Sequence, residues 1–130
     1  MTCLRPSSWL LTIMGLIIVI VVVGGITRLT DSGLSIVEWR PISGVLPPLS
    51  HQDWNDEFDK YKLYPEYKVK NLSLTLSEFK RIFWWEYIHR ILGRIIGLFA
   101  IIPYIFFLIK KQLTPRQKRN YFIIILLIGI

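Results

Sequence analysis

WLLTIMGLIIVIVVVGGI, residues 9–26, runs for eighteen residues without a charge. As a helix it is about 27 Å long at roughly 1.5 Å per residue, close to one hydrocarbon core. A backbone in lipid must satisfy its own hydrogen bonds, so the expected fold is an all-α membrane protein. Residues 95–109 (IIGLFAIIPYIFFLI) are also apolar and reach spanning length only when joined to the residues before them, giving a second span over 82–109. Residues 121–130 (YFIIILLIGI) begin a third. Ten residues cover about 15 Å, half a bilayer. The chain therefore reads as two transmembrane helices plus a partial third, either the N-terminal part of a longer protein or a truncated product. A cleaved signal peptide fits less well than a retained first span. Arg5 is a thin positive region, the apolar run exceeds the usual ~7–15 residues, and Gly24-Gly25 offers no clear cleavage site. The N-terminus is not rich in Arg and Ser, which favours a bacterial inner membrane over a mitochondrial one.

Charge sets the orientation. Residues 110–119 (KKQLTPRQKR) hold five basic residues and no acidic one, whereas residues 27–81 hold eight of each. By the positive-inside rule 110–119 is a cytoplasmic loop, residues 1–8 with Arg5 are cytoplasmic, and 27–81 is an extracytoplasmic loop. The third span then starts at 120. The net charge of +7 is mostly this topology signal. No basic face interleaved with aromatics is present, so nucleic acid is not an expected partner. Cys3 is the single cysteine, which excludes an internal disulfide or a thiolate metal site.

The outer segment has order of its own. Residues 41–48 (PISGVLPP) form a rigid, turn-rich stretch. Ser50 with Asp53 makes a variant capping box, and Trp54, Phe58 and Tyr61 follow on one face of a short helix that Pro65 ends. His51 is a solvated residue at that helix start. Thr75 with Glu78 is a second capping box. From there one helix of 34 residues, 76–109, is expected with Pro103 as its one interruption; it would be about 51 Å long. It would enter the membrane with Trp84, Trp85 and Tyr87 at the outer interface.

WWEYIHR, residues 84–90, places costly polar groups at the mouth of that helix. Glu86 and His89 are i, i+3; Gly93 and Gly97 continue the stripe; Arg90 and Arg94 lie on the adjacent one. Ionisable residues within a span point to function. A histidine with glycines deeper on its face leaves room for a flat group, and iron porphyrin fits, since neutral imidazole is a common axial ligand. Arg90 and Arg94 suit propionate carboxylates, or else snorkel to the surface. Glu86 suits a base or proton relay. Gly93-x-x-x-Gly97 also serves plain helix packing. Glu-x-x-His is equally one half of a di-iron ligand set, which keeps a membrane di-iron oxygenase as an alternative.

Gly25-Ile-Thr-Arg-Leu-Thr-Asp-Ser-Gly-Leu-Ser-Ile36, then Trp39, Pro41, Gly44 and Pro47-Pro48-Leu49, resembles the loop after the first span of the haem A synthases. So do Trp54, Phe58, Tyr61 and Pro65-Glu66-Tyr67, and Glu78-Phe79-Lys80 leading to Glu86, His89-Arg90 and Gly93-Arg94. The series covers most of residues 24–94. The missing cysteine pair in the outer loop is similar to the mitochondrial and alphaproteobacterial branch. The resemblance implies eight helices in two four-helix bundles and oxidation of a ring methyl of haem O to a formyl group, giving haem A for cytochrome oxidase. It implies haem O as the substrate bound at His89, with His89 as axial ligand to the haem iron and Glu86 as the catalytic acid. It places the partner histidine of His89 on a later helix and haem B in a second half, both outside these residues. Activity is therefore expected of the full-length family member. The implied partners are membrane lipid, downstream helices of the same protein or a second chain, haem O synthase and an electron donor. The alternative from another class is a non-catalytic haem-binding or assembly subunit.

Overall fold

The computed structural model describes residues 5–38 and 43–128. Cys3, Trp39 and Pro41, used above, lie outside them. The order is α1 (Pro6–Leu29), a single 3-10 turn (Ser43–Val45), α2 (His51–Leu63), α3 (Pro65–Lys70), α4 (Leu76–Ile109) and α5 (Pro115–Ile128). Among the described residues all regular structure is helical, as the apolar runs require. Among the described residues, α1 and α4 are the two helices long and apolar enough to cross a membrane.

The helix boundaries follow local chemistry. Pro6 opens α1 at the position where a missing N–H costs nothing. α1 continues past Ile26 to Leu29 and closes in a Schellman turn: Ser32 N donates to Thr27 O at 2.9 Å, and Asp31, at φ 48°, takes the left-handed position. α4 ends in the same way, with Gln112 N on Phe107 O at 3.0 Å and Lys111 at φ 54°. Neither end uses glycine, so no sequence signal marked them. Both expected capping boxes form. Asp53 N donates to Ser50 Oγ at 3.0 Å while Ser50 N donates to Asp53 Oδ2 at 2.9 Å. Thr75 N donates to Glu78 Oε2 at 2.8 Å. A third, Thr114 with Gln117, starts α5 five residues ahead of the expected 120. Pro65 ends α2 and also begins α3, a short helix the sequence reading did not foresee.

The chain divides into two compact units, Met1–Val21 with Leu92–Ile130, and Val22–Ile91. In the first, Trp9, Ile13, Ala100, Phe107 and Leu113 are buried together. Trp9 meets Phe107 and Tyr121 edge-on, each at 5.5 Å between ring centroids. α4 runs unbroken through Pro103. A proline has no N–H, so the Phe99 carbonyl one turn back loses its helical donor. The Trp9 indole supplies one at 2.8 Å, which is how a span tolerates the proline.

In the second unit, Trp54, Phe58 and Tyr61 of α2 are buried against Phe79 and Phe83 of α4. Phe79 lies 4.9 Å from Phe58 and 5.2 Å from Tyr61, ring to ring. The buried Tyr61 hydroxyl accepts from Asn71 Nδ2 at 2.7 Å, so the ring is enclosed without stranding its polar end. This cluster holds the first turns of α4, and with them the polar residues of its mouth.

Candidate functional site

Glu86 is buried, 7% exposed, in the first half of α4. Four donors converge on its two oxygens. Arg90 gives Nε and Nη2 to Oε1 at 3.0 and 2.6 Å. Ser35 Oγ and Ile36 N give to Oε2 at 2.7 and 2.9 Å. Arg90 Nη2 also donates to Ile36 O at 3.0 Å. The peptide group of Ile36 is thus gripped at both ends, N–H by the glutamate and C=O by the arginine. All four partners of Glu86 donate, which matches the acceptor-only chemistry of a carboxylate. The Ser35 and Arg90 Nη2 bonds are short, as charge-assisted bonds are. The pair sits one turn apart on α4, the spacing at which glutamate and arginine meet naturally. This arrangement works against the di-iron alternative, because the lone pairs an iron would need are already taken by a guanidinium, a hydroxyl and an amide.

His89 is half-buried. Its Nε2 stands against Gly24 of α1, so closely that a Cβ on Gly24 would come within 3.0 Å of that atom. A glycine inside a helix costs about 1 kcal/mol relative to alanine; here its bareness lets the imidazole nitrogen approach the α1 backbone closely. Thr27 Oγ1, one turn on, donates to the Gly24 carbonyl at 2.8 Å. The backbone beside the imidazole therefore has its acceptor occupied.

The remaining sequence-derived residues fall as follows. Gly93 lies on α4 with the nearest atom to its missing Cβ, Ile20 Cδ1, at 3.7 Å, and it lines an apolar cavity of about 260 Å³ with Ile17, Ile20, Ile96, Leu127 and Ile128. Gly97 has nothing within 4 Å of its Cβ position. The glycine against the imidazole is therefore Gly24, and not a member of the histidine's own stripe. Arg94 is half-buried. Arg90, considered above for propionates, spends Nε and Nη2 on Glu86 and Ile36. His51 is exposed at the first turn of α2, as expected. The larger cleft, about 320 Å³, lies among Pro47, Pro48, Asp53, Asp56 and Glu57 of the outer segment. It contains no histidine, so the chemistry is sought at α4.

Gly24, Ser35 and Ile36 were missed as site residues by sequence reasoning. Gly24 carried one signal, a glycine inside an apolar helix with no turn to explain it. Ser35 and Ile36 carried none: they reach Glu86 from 51 and 50 residues away.

A family model described as a cytochrome oxidase assembly protein, COX15-CtaA, matches residues 7–130. Curated relatives named heme A synthase include one from Nitrosospira multiformis, 59% identical over 105 residues, covering 81% of this chain and 30% of the relative. One from Rickettsia bellii is 53% identical over 121 residues, 93% of this chain and 36% of the relative. One from Maricaulis maris is 52% identical over 123 residues, 95% of this chain and 36% of the relative. The chain spans about a third of the length of these relatives. No solved structure matches it.

Proposed function

The chain belongs to the COX15-CtaA family of cytochrome oxidase assembly proteins, and from that premise we propose that it supplies the first haem-binding helices of a membrane oxidoreductase converting haem O to haem A. The reaction is assigned to a protein of the relatives' length. One observation supports the reading in this chain: His89 Nε2 stands against the bare backbone of Gly24, where a side-chain Cβ would come to 3.0 Å from it.

In this reading haem O is the substrate and His89 Nε2 would hold its iron. A bound haem supplies the iron-based oxidation that an unreactive ring methyl requires and that side chains lack. His89 fixes the height of the ring along α4. Gly24 lets the imidazole approach the α1 backbone closely. Glu86, one turn outward, holds or moves a proton at Oε2 while the methyl group becomes a formyl group. Arg90 fixes the Glu86 carboxylate. Gly93 and Arg94, further along α4, are assigned to the ring edge and a propionate on their spacing alone. The second ligand to the substrate iron, and haem B as cofactor, are assigned to residues beyond these 130.

The basic residues Lys110, Lys111, Arg116, Lys118 and Arg119 are all exposed. On the positive-inside rule they face the cytoplasm, with the N-terminus, and the 27–81 segment faces outward from the inner membrane. Haem O synthase and an electron donor are the proposed partners.

The test is the haem content of cells carrying His89→Ala in the full gene product. Haem A should disappear and haem O accumulate, with the variant still present in the membrane. An unchanged ratio of haem A to haem O would sink the assignment of His89.

A further inference from the structure

The carboxylate of Glu86 has about four lone-pair sites, and four donors fill them. A saturated acceptor takes up a proton only if one donor gives way. Three of the four cannot exchange one usefully. The Arg90 guanidinium has only donors and no lone pair to take a replacement proton, and Ile36 N is a backbone amide. Ser35 differs, because a hydroxyl donates and accepts at once. It is 2% exposed, its bond to Oε2 is 2.7 Å, and it sits on the opposite side of the carboxylate from Arg90 in bonding terms, on Oε2 rather than Oε1.

We propose that Ser35 is the positioning residue through which Glu86 exchanges its proton with water. This rests on the functional reading above, in which Glu86 handles protons. A proton arriving from water forms a new bond to Ser35 Oγ as the original hydroxyl proton passes to Glu86 Oε2. The serine ends neutral, the glutamate gains one proton, and the reverse transfer returns it. Arg90 is the charged side chain facing Glu86 from α4; the loop contributes the hydroxyl and the Ile36 peptide. Ser32, 0% exposed and three residues before Ser35, bonds to Thr30 and does not compete for the carboxylate.

The experiment compares Ser35→Ala, Ser35→Thr and Glu86→Gln in the full gene product, in membranes, by the rate of haem A formation in H2O and in D2O. Ser35→Ala should lower the rate about 10²-fold, the lower end for loss of a positioned proton carrier, with the haem complement of the membrane unchanged and an enlarged ratio of rates in H2O and D2O. Ser35→Thr, which keeps the hydroxyl, should restore the rate to within a few-fold and return that ratio to its wild-type value. Wild-type rate and isotope ratio in Ser35→Ala, with Glu86→Gln inactive, would overturn the role of Ser35 alone. Equal loss in the Ala and Thr variants, with an unchanged isotope ratio in both, would also overturn it, since a packing role predicts that pattern. Full activity in Glu86→Gln would overturn the functional reading beneath it. Should Ser35→Ala not accumulate, Ser35→Gly, which also removes the hydroxyl, carries the same expectation.

Discussion

The segment between the two long apolar helices and those helices themselves treat the same kind of side chain in opposite ways. In the segment of α2, α3 and the first turns of α4, aromatic rings enclose one another; Tyr61 and Phe79 are both 0% exposed. In the spanning helices, only 11% of the most apolar window of α1 and 17% of that of α4 is buried. Leu11, Val21 and Leu98 stand open. A segment facing water must close a core of its own, because each apolar side chain left outside forfeits about 1.5–3 kcal/mol. A helix in lipid forfeits nothing by facing hydrocarbon, so its exposed leucines carry no penalty. What a span cannot leave open is a polar group, and there the structure is closely fitted: Glu86 has four donors, and the carbonyl freed by Pro103 has the Trp9 indole.

The widest contrast should appear in a pair of substitutions in the chain held in detergent micelles. Phe79→Ala opens a hole at the centre of the aromatic cluster and should cost about 3–5 kcal/mol. Leu11→Ala, on an exposed face of α1, should cost under about 1 kcal/mol, as surface changes generally do. Thermal unfolding followed by near-ultraviolet circular dichroism for Phe79→Ala and by far-ultraviolet signal for Leu11→Ala measures both. An equal cost would break the contrast, and would mean that the open face of α1 is covered by protein rather than detergent.

A smaller effect sharpens the same point within the spans. Trp9→Phe keeps the ring but removes the indole N–H, leaving the Phe99 carbonyl without the donor that Pro103 made necessary. An unsatisfied buried carbonyl costs about 1–3 kcal/mol. Pairing Trp9→Phe with Pro103→Ala should recover most of the loss, because alanine restores the helical N–H. If the double variant is no more stable than Trp9→Phe alone, the indole is acting through packing and not as a replacement donor.

How much of this was legible depended on whether the signal was local. α4 as one helix of 34 residues, the boxes at Ser50 and Thr75, and the buried face of Trp54, Phe58 and Tyr61 all follow from spacings of a few residues, and sequence reasoning found each. The helix ends at Asp31 and Lys111 did not follow, since glycine is the usual signal and tertiary context here holds other residues in the left-handed region. The surroundings of the polar cluster were least legible. Glu86 and His89 stood out as costly residues in a span, but Ser35 and Gly24 reach them only through the fold. Arg90 at i+4 from Glu86 was visible as a spacing, yet that spacing offered as much reason to send it to a propionate. A guanidinium fork suits either carboxylate, and only the position of the Ile36 peptide decides between them.

The smallest effect separates water from lipid through acidity. Asp53 is fully solvated, and its carboxyl is held below the usual carboxylate range, chiefly by the Ser50 backbone N–H and then by the Ser50 hydroxyl. A folded value below the unfolded one means that this contribution to stability is present above the ordinary aspartate range and is lost as pH falls through the folded value. The start of α2 should therefore loosen below about pH 4, while the same titration leaves the apolar body of α1, which has nothing to protonate between Pro6 and Ile26, unchanged. Amide exchange at Asp53 and Trp54 reads the first effect, and amides near Ile17 read the second. Asp53→Asn retains a side-chain acceptor but no titrating group, so α2 should lose this acid dependence. If α2 loosens over the same range in Asp53→Asn, the capping carboxylate is not its cause, and acid is acting on the outer segment through its other carboxylates.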